Sequence, residues 1–225
     1  MNFFSSDHHF GHDNVLKYCA ETRPFRDLAH MHESYVASWN EVVTRTDTVW
    51  YLGDFSLRFT FVSEFLHRLN GTKRLVVGNH DSCFELRAQQ TKRYLDAGFS
   101  SVERLHVLEI AGLTLVLNHF PYRVDEPSRD PAVAARQLKF ASESCEAGVR
   151  GEHALIHGHV HQHWRARMGA STLPELNVAV DVWEGRPVSE AQIVELYREA
   201  AARETTGQLS HQGNWQPLFG EGGTE

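Results

Sequence analysis

Five times along this chain a short apolar, β-prone run stops at a cluster of Asp, Asn and His. Asn2–Ser6 leads into Asp7-His8-His9, and Asp47–Leu52 into Gly53-Asp54. Arg74–Val77 leads into Gly78-Asn79-His80-Asp81, and Leu113–Leu117 into Asn118-His119. Ala154–Ile156 leads into His157-Gly158-His159-Val160-His161. Runs of a few residues rich in Val, Ile, Leu, Phe, Trp and Tyr read as buried strands. Between the early runs the spacing is helical, as at Met31, Tyr35, Val36, Trp39 and Val43 within Leu28–Val43. Phe61–Leu69 and Leu86–Leu95 read as two more helices. Strands alternating with helices build parallel sheets, where functional groups gather beyond the carboxyl ends of the strands. The five clusters are therefore expected on one edge of the molecule.

The second half is denser in strands. Val102–Ile110 turns at Ala111-Gly112 into Leu113–Leu117, which predicts a hairpin. Trp164–Met168 and Leu176–Val182 predict further strands. Ser189 and Gln192 form a capping box that opens a helix through Ile193, Leu196 and Tyr197. The expected class is α/β, with two sheets face to face and helices outside. Residues 1–204 read as a single domain. The polar, Gly-rich stretch 205–225 reads as a mobile tail in which Trp215 and Phe219 could dock.

The clusters hold two Asp, three or four His and one Asn, a set suited to Mn, Fe, Zn, Co or Ni. They contain no thiolate, which argues against a structural zinc site. If Asp7-x-His9 and His159-x-His161 are extended, alternation points the side chains of each pair the same way. Gly53, Gly78 and Gly158 stand beside candidate ligands, where a small residue lets the backbone come close to a metal or phosphate.

In order, D-x-H, G-D, G-N-H-D, H and G-H-x-H resemble the motif series of the calcineurin-like metallophosphoesterases, in a small bacterial or phage-type form. The resemblance runs from Asp7 to His161. It implies a four-layer αββα sandwich and two divalent transition-metal ions, manganese foremost. Asp7, His9 and His161 would hold the first ion, and Asn79, His119 and His159 the second, with Asp54 bridging both. His80 would lie next to the leaving group, and Asp81 would orient it. The implied activity is hydrolysis of a phosphodiester or phosphomonoester by attack of a metal-bound hydroxide. Two metals about 3.5–4 Å apart can share a water, lower its pKa and hold phosphate oxygens for in-line attack. The absence of a long inserted cap favours a diester. One rival is a binding or scaffold protein on the same fold with weak catalysis. Another is a mononuclear non-haem iron oxygenase, which needs only two His and one carboxylate and leaves the other ligands unexplained.

His12 and Arg123 are candidate substrate contacts, and Arg23 and Arg26 could also bind phosphate. His8 and His157 read as supports for neighbouring ligands, and Trp183 as packing before substrate stacking. His30, His32 and His67 read as solvated helix faces, and His106, His153 and His163 as surface. Asp125–Pro131 reads as an exposed loop near the site mouth. A net charge of −7 disfavours holding nucleic acid by charge alone. A nucleotide or nucleic acid substrate stays open, because bound metals would reverse the field locally. Cys19, Cys83 and Cys145 form no CxxC pair and read as free thiols in a reducing compartment. No signal peptide opens the chain, and no run approaches the roughly 18 apolar residues of a membrane helix. A cytoplasmic location is expected, with no membrane partner and the oligomeric state left open.

Overall fold

In the computed structural model, residues 1–122, 153–161, 164–168 and 173–205 are described. Two mixed five-stranded sheets carry the fold. The first contains β1 (Asn2–Ser5), β2 (Thr48–Tyr51), β3 (Thr72–Val76), β4 (Ser101–Glu103) and β10 (Val188–Ser189). Its order is β10-β1-β2-β3-β4, with β1 to β4 parallel and β10 antiparallel at the edge. The second contains β5 (His106–Ile110), β6 (Leu113–Leu117), β7 (His153–His157), β8 (Ala166–Met168) and β9 (Pro174–Asn177), in the order β5-β6-β7-β9-β8. Here β6, β7 and β9 run parallel, and the two edge strands are antiparallel to them. The main helices are α1 (Val15–Tyr18), α2 (Leu28–Val42), α3 (Phe59–Phe65), α4 (Ala88–Ala97) and α5 (Glu190–Thr205). Among the described residues no helix is long and apolar enough to cross a membrane.

The alternation of strand side chains sorts the core into two faces. Phe3, Val49, Tyr51 and Leu75 pack with Met31, Tyr35 and Trp39 of α2, Val62 and Phe65 of α3 and Tyr94 of α4. On the other face Phe4, Trp50, Leu52 and Val76 share a core with Leu115, Leu117, Ala154, Ile156 and Leu176 of the second sheet. Full burial of each such side chain is worth about 1.5–3 kcal/mol before entropy is counted. The carboxyl ends of β1, β2 and β3 are thereby locked against those of β6 and β7. Helix α2 starts where Asp27 accepts a hydrogen bond from the His30 N–H at 2.7 Å, a side-chain N-cap. The capping box is present, with Ser189 N–H donating to Gln192 Oε1 at 2.9 Å and Gln192 N–H to Ser189 Oγ at 3.3 Å.

Three expectations are corrected. Val102–Ile110 is two strands in different sheets: β4 pairs with β3, and β5 pairs with β6. The chain crosses at Arg104-Leu105, and His106 arrives stacked on Trp50 at 4.1 Å. Leu176–Val182 is extended only to Asn177, and Val180–Val182 is a 3₁₀ turn. The Asn177 side chain breaks the strand by accepting from Ala179 N–H at 3.0 Å and donating to the carbonyls of His161 and Trp164. His32 is buried, not solvated, because its Nε2 accepts the Gly11 N–H at 2.9 Å. Residues of the expected tail beyond Thr205, Cys145, His163 and the Asp125–Pro131 loop lie outside the described residues.

Candidate metal centre

The expected ligands sit in the loops that leave β1, β2, β3, β6 and β7. Alternation does not aim them. Strand β1 ends at Ser5, and Asp7 and His9 have φ of 60° and 52°. Asp54 is at 58°, His159 at 69° and His161 at 49°. A positive φ is uncommon for a residue with a side chain and costs on the order of 1–3 kcal/mol. Left-handed kinks at five ligand positions, and not extended backbone, turn these side chains inward. Packing and hydrogen bonds hold the kinks: Asp7 N–H donates to Gly53 O at 3.0 Å, His9 N–H to Asp54 O at 3.1 Å and Gly158 N–H to His119 O at 3.1 Å. The approach is tight enough to require glycine. A side chain at Gly78 would collide with the Asp54 carboxylate, and one at Gly158 with the Asp7 carboxylate.

Two groups of donor atoms result. In the first, Asp7 Oδ1 lies 3.9 Å from His9 Nε2 and 3.7 Å from His161 Nε2, and those two nitrogens are 3.2 Å apart. In the second, His119 Nε2 is 3.2 Å from Asn79 Oδ1, and the His159 ring centroid is 5.1 Å from that of His119. Asp54 joins them: its Oδ2 is 3.5 Å from His9 Nε2 and 3.5 Å from His119 Nε2. Asp7, His9, Asp54 and His119 are buried, while Asn79, His159 and His161 are partly open.

The electrostatics are those of crowded donors. Burial pushes Asp7 up, against the pull of His161 and His119. Burial also opposes ionisation of Asp54, but His119 and His9 outweigh it and hold that carboxyl well below the usual range. Burial holds His9 neutral. For His119 burial is overridden by the Asp54 carboxylate, which raises it to about 9. Asp7 Oδ1 is buried without a hydrogen-bond partner. Leaving such an oxygen unpaired is costly, and a cation among three lone-pair atoms would remove the cost. The donor set therefore fits a metal ion, and Asp7, Asp54 and His119 form a second group close enough to hold one.

His80 is exposed at the rim, with its ring 5.2 Å from that of His9 and 6.2 Å from that of His12. Its N–H donates to Asp54 Oδ1 at 2.8 Å, so the loop that carries it also fixes the central carboxylate. Asp81 has other partners than the expected one. Its carboxylate accepts from the backbone N–H groups of Asp54, Phe55 and Gly78 at 2.9, 3.0 and 2.9 Å, so it staples two ligand loops together and does not bond the His80 ring. His12 lies beside His9 at 5.5 Å between rings, as a rim residue. Arg123 lies outside the described residues.

His8 is packing, stacked on Phe10 with Nδ1 2.8 Å from Tyr51 Oη. His157 supports the loop after β7, with Nδ1 2.7 Å from Gly158 O. Trp183 is buried and donates to Asn177 O at 2.8 Å, which fits packing. Arg26 is exposed beside Asp27. Arg23 is no phosphate clamp: it is buried in an ion pair with Asp181, whose Oδ2 lies 2.9 Å from His161 Nδ1. The sequence gives little sign of this pair, since Arg23 and Asp181 are 158 positions apart.

No protein-family model matches the chain. The uncharacterized protein MJ1445 of Methanocaldococcus jannaschii is 28% identical over 220 residues, covering 92% of this chain and 97% of that one. The Gene 66 protein of Mycobacterium phage L5 is 30% identical over 216 residues, covering 86% of this chain and 92% of that one. Among solved structures, the protein of unknown function AQ665 from Aquifex aeolicus superposes with a TM-score of 0.60 at 29% identity, covering 87% of this chain and 98% of that one.

Proposed function

The chain belongs to the family of the Gene 66 protein of Mycobacterium phage L5, and from that premise and the site geometry we propose a binuclear metal-dependent phosphoesterase. One observation carries the reading. A single carboxylate oxygen, Asp54 Oδ2, stands 3.5 Å from an imidazole nitrogen of each donor group. A shared carboxylate between two histidine-bearing groups is what two neighbouring cations require, because its charge screens their repulsion. The motif series D-x-H, G-D, G-N-H-D, H and G-H-x-H supports placing the protein among the calcineurin-like metallophosphoesterases, and the two sheets with a shared core support their four-layer αββα arrangement.

Two divalent ions, manganese foremost, would supply an activated water and charge stabilisation at the phosphorus. Asp7, His9 and His161 would hold one ion, Asn79, His119 and His159 the other, and Asp54 both. His80, at the rim, would donate a proton to the departing oxygen or bond the phosphate. His12 lines the same rim and would contact substrate. The substrate class is a phosphate diester or monoester, nucleotides and nucleic acids included. A cytoplasmic setting accords with Cys19 and Cys83, both buried free thiols.

The test is metal content together with hydrolysis. Protein stripped by chelator and reconstituted with Mn²⁺ should hold two ions per chain and cleave bis(p-nitrophenyl) phosphate only when loaded. Occupancy that never exceeds one ion, or a loaded protein inert toward both diester and monoester nitrophenyl substrates, would overturn the proposal.

A further inference from the structure

Outside the proposed ligand set, Arg23 and Asp181 form a buried, two-pronged pair. Arg23 Nε donates to Asp181 Oδ1 at 2.8 Å and Nη2 to Oδ2 at 2.7 Å. Thr22 Oγ1 donates to Oδ1 at 2.9 Å. The remaining partner of the carboxylate is in the site: His161 Nδ1, 2.9 Å from Oδ2. The guanidinium also donates to the backbone carbonyls of Asp7 at 2.6 Å and His8 at 3.0 Å. One arginine thus ties the loop after β1 to the turn after β9, and its carboxylate partner ties that turn to the loop after β7.

We propose that Arg23 and Asp181 form a positioning unit for the first half of the metal site, in which Asp181 keeps the His161 proton on Nδ1 and aims the Nε2 lone pair beside Asp7 Oδ1 and His9 Nε2. The inference rests on the metal-site reading above. A ligand histidine that donates its other N–H to a carboxylate is fixed in tautomer and orientation and is more basic at the binding nitrogen; loss of such a partner costs typically ~10–100-fold in metal affinity. His119, the buried histidine of the second half, is held differently. His119 Nδ1 sits 2.7 Å from a neutral acceptor, the Leu52 carbonyl. His161 should therefore be the stronger imidazole donor of these two. Arg23 has two tasks here. It balances the Asp181 charge so that this carboxylate can be buried near Asp7, and through the Asp7 and His8 carbonyls it sets the loop that must meet His161. Cys19 Sγ, 3.6 Å from His161 Nδ1, packs against the same nitrogen. Cys19, His161 Nδ1 and Asp181 do not make a further cation site, because Arg23 already occupies both carboxylate oxygens with its own positive charge.

The experiment is calorimetric titration of the metal-free protein with Mn²⁺. Asp181→Asn should weaken one of two binding steps about 10–100-fold, the one that His161→Ala removes, and leave the other in place. Glu41→Gln is the control, since it removes a carboxylate that pairs with an arginine, Arg186 at 2.9 Å, away from the ligand loops. It should shift neither step. If Asp181→Asn does not fold, the wild-type protein loaded with Zn²⁺ carries the test: its imidazole ¹⁵N–¹H spectrum should show His161 with a proton kept on Nδ1. Equal weakening of both steps by Asp181→Asn, matched by the control, would reduce Asp181 to a structural residue and overturn the inference. So would a loaded His161 without an Nδ1 proton. Wild-type protein that binds no Mn²⁺ at all would overturn the metal-site reading itself.

Discussion

The two halves of the proposed site are built from similar side chains on different supports. In the first half all three ligands, Asp7, His9 and His161, sit on left-handed backbone. They are braced by an ion pair whose two members are 158 positions apart. In the second half Asn79 and His119 have ordinary backbone and His119 leans on a main-chain carbonyl, while His159 is left-handed at 69°. Every ligand of the first half is strained and only His159 of the second is, and the first half adds a charged brace on His161. Asp54 belongs to both halves, and its kink at 58° is held by the Asp81 staple.

The largest expected effect comes from removing what the halves share. Asp54→Asn should lower activity about 10³-fold, the upper scale for loss of one preorganised electrostatic group, and should weaken both Mn²⁺ steps. A variant that loses only one step would mean that Asp54 serves one half alone. Next come the variants that separate the halves. His161→Ala should remove the Mn²⁺ step that Asp181→Asn weakens and His119→Ala the other, each with one ion retained by elemental analysis. Superimposable titrations of the two variants would erase the comparison.

His80 stands outside both halves, so its variant should change chemistry without changing occupancy. His80→Ala should retain two Mn²⁺ ions. On an alkyl phosphodiester it should lose on the order of 10²-fold in kcat/KM, the lower range for general acid help, and markedly less on a nitrophenyl ester, whose leaving group needs no proton. Equal losses on both substrates at full occupancy would assign His80 to phosphate positioning. Asp81→Asn should not copy this bias, because Asp81 bonds backbone N–H groups and not the His80 ring.

The second half was the more legible one in the sequence. Asn118-His119 and Gly78-Asn79 follow apolar runs that became β6 and β3, and parallel pairing alone brings such ends to one edge. The first half was legible only as a list of ligands. The alternation argument for Asp7-x-His9 and His159-x-His161 failed because the strands stop before the ligands begin, and a left-handed φ at Asp or His leaves no mark in a sequence. The brace was invisible for a different reason. Arg23 and Asp181 belong to no local pattern, and a pair 158 positions apart can be found only once the chain is folded. The same limit hid the crossing at Arg104-Leu105, where a continuous β-prone run is divided between two sheets by their partners. His32 looked like a helix surface because spacing cannot tell that Gly11 would present its N–H there.

The smallest expected effect is on pH, and it sharpens the view of how the halves behave without metal. In the metal-free protein the Asp54 carboxylate overrides burial and raises His119 to about 9. The unfolded value is 6.5, so between the two the folded protein binds the extra proton. The stabilisation is complete below the unfolded pKa and is lost as pH rises through the folded one. Asp181 holds His161 well above its usual range too, against burial, which adds a contribution of the same sign. Asp81 is pushed up to about 7 by burial and by Asp54, so most of its titration lies below this window and its remainder adds a small fall of the same sign. The Tm of metal-free protein should therefore fall by a few degrees from about pH 7.5 to 9, the upper part of the His119 window. Mn²⁺ reverses the logic, because a ligand histidine must give up that proton, so the loaded protein should show no such fall and should bind more tightly as pH rises. His119→Asn should shrink the fall in the metal-free protein without abolishing it, since His161 still titrates. A Tm that stays flat or rises over this window in metal-free wild type would mean that Asp54 does not hold His119 charged, and the link drawn between the two halves through that carboxylate would fail in the absence of metal.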